Sequence, residues 1–264
     1  MTADIALPAA YDDTAHRAPA LGGFNLTALR LEVRRVLRNR RTLMFVLVFP
    51  SMFFFMFRGS VSRSAAGSDV ALAYLLISMS VYGAMVGTTA GGAAVAVERS
   101  VGWSRQLRLT PLSPTAYIAM KVLTAMVLGL VAVVAAYTIG AISGVHMSPR
   151  VWLLSGLGAW ASSLVFAAFG LFMGFLLPSE NVMQFVGPLL AVLAMFGGLF
   201  IPLQLMPPLV QTMAKFSPVY GVGQLARAPL IGGLTATGIA GIVAWTVVFA
   251  LGAAALFRRD TARV

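Results

Sequence analysis

The chain has no cysteine. That excludes disulfides, a thiol nucleophile and a cysteine-based metal site. Its two histidines, His16 and His146, lie far apart and have no ligand-spaced neighbours, so no metal site is expected on them. Charge is scarce: 10% of the 264 residues are charged, where soluble domains carry about 25%. There are only two lysines, Lys121 and Lys215, and neither follows a glycine-rich turn. The chain therefore has no P-loop and is not expected to bind ATP in that way or to be an enzyme itself. None of the long apolar runs has an Asp, Glu or Lys at its middle, the usual mark of a proton or ion relay. They carry no Ser/His/Asp set or paired carboxylates either, which argues against an intramembrane enzyme.

Apolar residues fill the space that charge leaves. They make up 59% of the chain, which implies an integral membrane protein of all-α class. The net charge of +11 is not a sign of nucleic-acid binding, because topology accounts for where the basic residues fall. Arginine outnumbers lysine 17 to 2 amid many Ala, Gly and Val, the residue usage of a GC-rich bacterial genome. Residues 1–23 include Asp4, Asp12, Asp13 and two prolines, with no long apolar core. They read as a disordered cytoplasmic tail and not as a signal peptide.

Residues 24–41 place Leu26, Leu29, Val33, Val36 and Leu37 on one helical face and Arg30, Arg34, Arg38 and Arg41 on another. That pattern predicts an amphipathic helix lying in the membrane interface; the alternative is a plain extension of the first span. Residues 42–259 read as six spans. Thr42–Phe57 is short at 16 residues, against about 20 usually needed. Val70–Val97 is long, and its Gly83, Gly87 and Gly91 form a face that a second helix can approach closely. Spans over 115–145, 151–177 and 182–200 follow, with tight turns at His146–Arg150 and Pro178–Asn181. Residues 201–233 hold five prolines yet stay apolar, which fits re-entrant or surface-lying helices buried against protein. Leu234–Phe257 is the last span, and 260–264 a cytoplasmic tail. With the N-terminus inside, 14 basic residues fall on the cytoplasmic side and 5 on the other. Both termini are then cytoplasmic, in a multi-pass protein of the bacterial inner (plasma) membrane.

Glu98–Pro114 (ERSVGWSRQLRLTPLSP) separates two charge-free apolar runs and must lie at a membrane surface. Glu98–Leu109 can form about three helical turns, and Pro111 ends them. Trp103 and Leu107 are i,i+4 neighbours that could enter a cleft on a partner, and Gly102 allows close approach. Val101, Leu109 and Leu112 lie on another side. A tryptophan-bearing loop at the lipid headgroups is the plainer alternative.

These residues resemble a known family. Glu98-Arg99, Gly102, Arg105, Leu107, Thr110-Pro111-Leu112-Ser113 and Lys121 are similar to the cytoplasmic signature of ABC-2 permeases, the membrane subunits of type-2 ABC transporters. The match is similar to the drug-resistance and lipid-export branch, including the daunorubicin-resistance permeases. Gly197-Gly198 through Pro202, Met206-Pro207, and Ser217-Pro218 through Ala226-Arg227 resemble the family's fifth span end and external re-entrant helices. The resemblance covers roughly residues 24–259.

The resemblance implies six transmembrane helices, an N-terminal connecting helix, and a coupling helix within 98–114 that docks on a separate ATP-binding subunit. Glu98, Arg99, Gly102, Trp103, Arg105, Leu107 and Pro111 would form that contact, with Glu180 as a second. Ser100-Val101 stands where the family often has a second acidic residue. Two permease chains, alike or related, would join two ATPase chains carrying ATP and Mg, with lipids around them. The chain would be the permease of an exporter of hydrophobic drugs or lipids, with an adaptable pathway near Met79, Met85, Met183 and Met195. Phe196, Phe200, Pro202 and Met206 would belong to an outer gate. A dedicated lipid or glycolipid exporter and a non-transporting scaffold or sensor are the alternatives.

Overall fold

The computed structural model describes residues 20–61, 68–102, 112–180 and 182–262. Among them the chain is helical, with no strand. The first helix, α1 (Leu26–Leu37), starts at Asn25, whose side chain accepts from the Thr27 N–H at 2.8 Å. An N-cap of this kind satisfies a backbone donor that the first turn leaves open. The amphipathic pattern predicted this helix, but it ends earlier than expected, and Arg40 and Arg41 belong to α2 (Arg40–Val61).

Helix α3 (Ser68–Ala93) continues through a slight break into α4 (Val95–Ser100). Then come α5 (Pro114–Ile142), capped by Ser113, and α6 (Pro149–Ser162), capped by Ser148. Each has proline at its first position, where the missing N–H costs nothing. The predicted fourth span is one run broken at Ser163 into α6 and α7 (Leu164–Leu176). Ser162 and Ser163 turn their hydroxyls back onto the carbonyls of Gly158 and Trp160 at 2.5 and 2.6 Å. Such back-bonding competes with the helix ladder and bends it.

Helix α8 (Val182–Phe196) is followed by two shorter helices, α9 (Pro208–Ala214) and α10 (Pro218–Ile231), and by the long α11 (Ala236–Ala262). Among the described residues five stretches are long and apolar enough to cross a membrane: Arg40–Gly59, Asp69–Ser100, Thr115–Ile142, Pro149–Leu176 and Ala236–Arg259. Helix α8, at the predicted fifth span, has 15 residues. At 1.5 Å each it is about 22 Å long, short of the roughly 30 Å hydrocarbon core. It ends because Gly198 adopts a left-handed φ of 78°, which folds Leu203 back to where a Gly198 side chain would sit.

The apolar stretches through α3 and through α6 and α7 are the most buried, at 72% each, against 17% for α2 and 11% for α11, and α3 packs on both α5 and α7. The glycine face allows this. A methyl added at Gly91 would lie 2.6 Å from Ala125 Cα on α5, and one at Gly83 3.1 Å from Pro50 on α2. On the other side Gly92 and Gly170 bring α3 and α7 together, since a methyl at Gly170 would stand 2.3 Å from the Thr89 carbonyl. Backbones meet this closely only where side chains are absent, and dispersion then replaces the hydrophobic effect as the packing force in lipid. Phe169 meets Phe249 edge-on at 5.0 Å where α7 packs on α11. Exposed Phe45, Met52 and Phe55 on α2, and Val243, Val247 and Leu251 on α11, leave apolar outer faces suited to hydrocarbon.

Candidate coupling site

The segment begins at the end of α4 and ends at the start of α5. Gly102, just after α4, takes a left-handed φ of 73°. Before α5, the Ser113 N–H donates to the Gly22 carbonyl at 2.7 Å, tying α5 to the turn before α1. Trp103, Arg105, Leu107 and Pro111 lie outside the described residues.

Glu98 is 5% exposed although it is charged and at the end of a helix. One carboxylate oxygen accepts from the Tyr117 hydroxyl at 2.8 Å. The other accepts from Lys121 Nζ at 2.5 Å and from the Arg35 guanidinium. Lys121, 4% exposed, also donates to Glu32 at 2.5 Å, and Arg35 donates to Glu32 at 2.8 Å. Lys121 Nζ stands 5.3 Å from the centre of the Tyr117 ring. Two carboxylates and two cations thus form a closed, formally neutral set that joins α1, α4 and α5.

The local sequence places each member. Glu32 and Arg35 are three apart on α1 and share a face. Tyr117 and Lys121 are four apart in the first two turns of α5, and so face α1 and α4 together. A buried lysine without its carboxylates would cost several kcal/mol, on the order of 3–5. Burial works against the Arg35 charge. The hydrogen bond to Glu98 and the charges of Glu32 and Glu98 outweigh that and raise its pKa above the ordinary arginine value.

Arg99 points the other way. Its Nη1 donates to the carbonyls of Gly174 at 3.2 Å and Phe175 at 2.9 Å, and its guanidinium stands over the Phe175 ring at 5.7 Å. These carbonyls belong to the last turn of α7, where a cation complements the helix dipole. Helix α7 then runs into the turn that bears exposed Glu180. Glu98 and Arg99 therefore tie the root of the 98–114 segment to α1, α5 and α7, and bring it to the same end of the bundle as the Glu180 turn.

The sequence marks Glu98 and Lys121 as site candidates, but not Glu32, Arg35 or Tyr117. The available signal was Glu32, a single acid within an otherwise basic helix.

The expected gate residues are spread out. Phe200 packs among Phe53, Tyr82 and Phe57, with ring centres 5.1, 5.0 and 6.2 Å away. Pro202 and Met206 are partly buried beside it in sequence, and the Met206 carbonyl accepts from the Gln211 amide at 2.8 Å. Met195 and Phe196 are exposed on α8, with Met183. Met85 and Met79 are fully buried in the packed core around α3.

Among the described residues, an all-helical bundle with five membrane-length stretches and a buried ion cluster at one end is the build of a multi-pass membrane protein. Residues 25–231 match the ABC-2 type transporter family, and the chain belongs to that family. It is a multi-pass membrane protein. It is also similar to a protein of Bacillus subtilis (strain 168) named "Putative transport permease YvfS", with 29% identity over 204 residues, 76% of this chain and 83% of that one.

Proposed function

We propose that the chain is the permease subunit of an ATP-driven exporter that moves hydrophobic drugs or lipids out of the cell. A separate ATP-binding subunit would dock on Glu98–Pro114, with the Glu180 turn as the second contact. The observation that carries this reading is how the segment is rooted. Glu98 and Arg99 connect its base to α1, α5 and α7 at once, so a pull on the segment is felt by three elements. A merely interfacial loop would not need such a rigid attachment.

In this reading ATP binding closes a pair of ATPase chains, and the segment moves with them. The Glu98 cluster carries the motion into α1 and α5, and Arg99 carries it into α7. The helices tilt and a path opens between two permease chains, identical or related, lined by exposed groups such as Met195 and Phe196 on α8. The Phe200 cluster with Pro202 and Met206 would be the outer gate. Six spans, counting α8, put both termini in the cytoplasm of a bacterial inner membrane, in keeping with the 14-to-5 distribution of basic residues. ATP and Mg stay on the partner.

The test is co-expression with candidate ATP-binding subunits from the same genome. The intact chain is expected to co-purify with one of them and to export substrate, and Trp103→Ala with Leu107→Ala to lose the partner or to uncouple hydrolysis from transport. Normal export by that double variant would remove the docking assignment. No ATPase on the wild-type chain, and no substrate-stimulated hydrolysis in liposomes, would favour a scaffold or sensor.

A further inference from the structure

A second buried charge lies at the other end of the bundle. Tyr74 is near the start of α3 and Glu98 is 24 residues further on, roughly 36 Å along a helix. Beside Tyr74 stands Arg227 of α10, 5% exposed. Its Nη1 donates to the Tyr74 hydroxyl at 2.6 Å, the Gly198 carbonyl at 2.8 Å and the Ser78 hydroxyl at 3.2 Å. Its Nε donates to the Gly223 carbonyl at 3.0 Å, and the guanidinium covers the Tyr74 ring at 4.6 Å. Every one of these partners is neutral. Nη2 has no hydrogen-bond partner among the described residues.

Arg227 lines a cavity of about 330 Å³ together with Tyr74, Gln204, Gln211, Lys215 and Gln224. That volume is in the range of small-ligand sites, roughly 300–1,000 Å³. The lining has two cations. Neither has a carboxylate within 4 Å among the described residues, in contrast to the neutral cluster around Glu98. Lys215 Nζ and the Gln204 amide have no hydrogen-bond partner among the described residues. Gln224 is already held, donating to the Tyr220 hydroxyl at 2.9 Å and accepting from Thr235 at 2.8 Å. The recess, bounded also by Leu203 and Ile231, thus carries two cations and has unused donors on Arg227, Lys215 and Gln204.

We infer that this recess is a binding site for a phosphate-bearing group, with Arg227 and Lys215 as its anion contacts. A buried cation is costly to keep, and Arg227 is buried with no carboxylate beside it among the described residues. Arginine supplies a planar fork and lysine a mobile point charge, the pair of donors suited to phosphate oxygens. The neutral donors and acceptors beside them suit the hydroxyls of a polyol ester. The phosphate can reach the site as a lipid headgroup or as a free phosphate ester. The inference goes beyond the export reading, because binding is measured with no ATP-binding subunit present.

The test uses the full-length chain purified in detergent. Native mass spectrometry compares bound phosphatidylglycerol with a phosphate-free diglucosyl lipid, and thermal melts follow added inorganic phosphate and glycerol 3-phosphate. Lys215→Gln removes an exposed charge and leaves the fold intact. Gly223→Ala places a methyl 2.6 Å from Arg227 Nη2 and displaces the guanidinium. Arg150→Gln, an exposed arginine at the same end but not lining the recess, is the control. Each recess variant is expected to weaken binding about tenfold, since one charge-assisted contact is lost or misplaced, and Arg150→Gln to leave it unchanged. Selective phosphatidylglycerol retention lost in the recess variants supports a lipid headgroup. A melt shift with the soluble esters, lost in the same variants without lipid selectivity, supports a free phosphate ester. No selectivity and no shift, or an equal effect of Arg150→Gln, overturns the site.

Discussion

Replacing Glu98 by glutamine tests the ion cluster that joins α1, α4 and α5. The change keeps the shape and removes one charge. Lys121 loses a carboxylate at 2.5 Å and keeps Glu32 at 2.5 Å, while the Tyr117 hydroxyl loses its charged acceptor at 2.8 Å. The set passes from neutral to a net positive charge in a place where Lys121 is 4% exposed. Breaking a buried pair costs about 3–5 kcal/mol, and the surviving Glu32 puts the expected loss near about 3 kcal/mol. For a chain of this size about 1 kcal/mol moves Tm by roughly 2–4 °C, so the apparent Tm should fall by about 6–12 °C. Tryptophan-fluorescence melts in one detergent measure it. Glu98→Gln with Lys121→Gln removes both charges and should recover part of the loss, with an interaction energy of at least about 1 kcal/mol in the double-mutant cycle. A fall below about 2 °C, or strictly additive substitutions, would refute the idea that this neutral network holds α1, α4 and α5 together.

Four further outcomes follow from the same geometry. Tyr117→Phe removes one hydrogen bond to a charged acceptor and should lower stability by about 1.5 kcal/mol in the same melts, leaving ATPase binding intact. Gly170→Ala puts a methyl 2.3 Å from the Thr89 carbonyl and should cost about 1–3 kcal/mol through overpacking. Gly241→Ala, with open space at the position, should match or exceed wild type by up to about 1 kcal/mol through helix propensity. Arg99→Gln frees the root of the coupling segment from α7. The complex should still assemble, and transport in inverted vesicles should fall several-fold more than ATP hydrolysis does; equal losses would mean that Arg99 serves assembly instead.

Much of the fold was legible because local rules decide it. The apolar runs placed the long helices, and the four-residue glycine spacing marked the face of α3 that a neighbouring helix meets. The break at Ser163 was less visible, because two serines bonding back to carbonyls leave no proline or glycine as a sign. The shortness of α8 depends on Gly198 turning left-handed against Leu203, a contact made after the span and not within it. The charge clusters were hidden for a different reason. Glu32 and Lys121 are 89 residues apart, and Arg227 and Tyr74 are 153 apart, so no periodicity connects them.

The scarcity of acids links the two ends of the molecule. The chain has three glutamates, and Glu32 and Glu98 are both spent on Lys121 and Arg35. Glu180 stays exposed in the turn that follows α7. At the opposite end Asp69 is exposed in the first turn of α3, where it favours the helix dipole and makes no ion pair with Arg227 or Lys215 among the described residues. A helix bundle that only needed stability could bury an apolar residue at position 227 and avoid the desolvation of a guanidinium. It instead surrounds Arg227 with four neutral acceptors and an aromatic face, enough to keep the charge inside without cancelling it. A neutralised cluster suits a mechanical joint, which must hold the same contacts while it moves. An un-neutralised one suits a site whose counter-charge arrives from outside the chain.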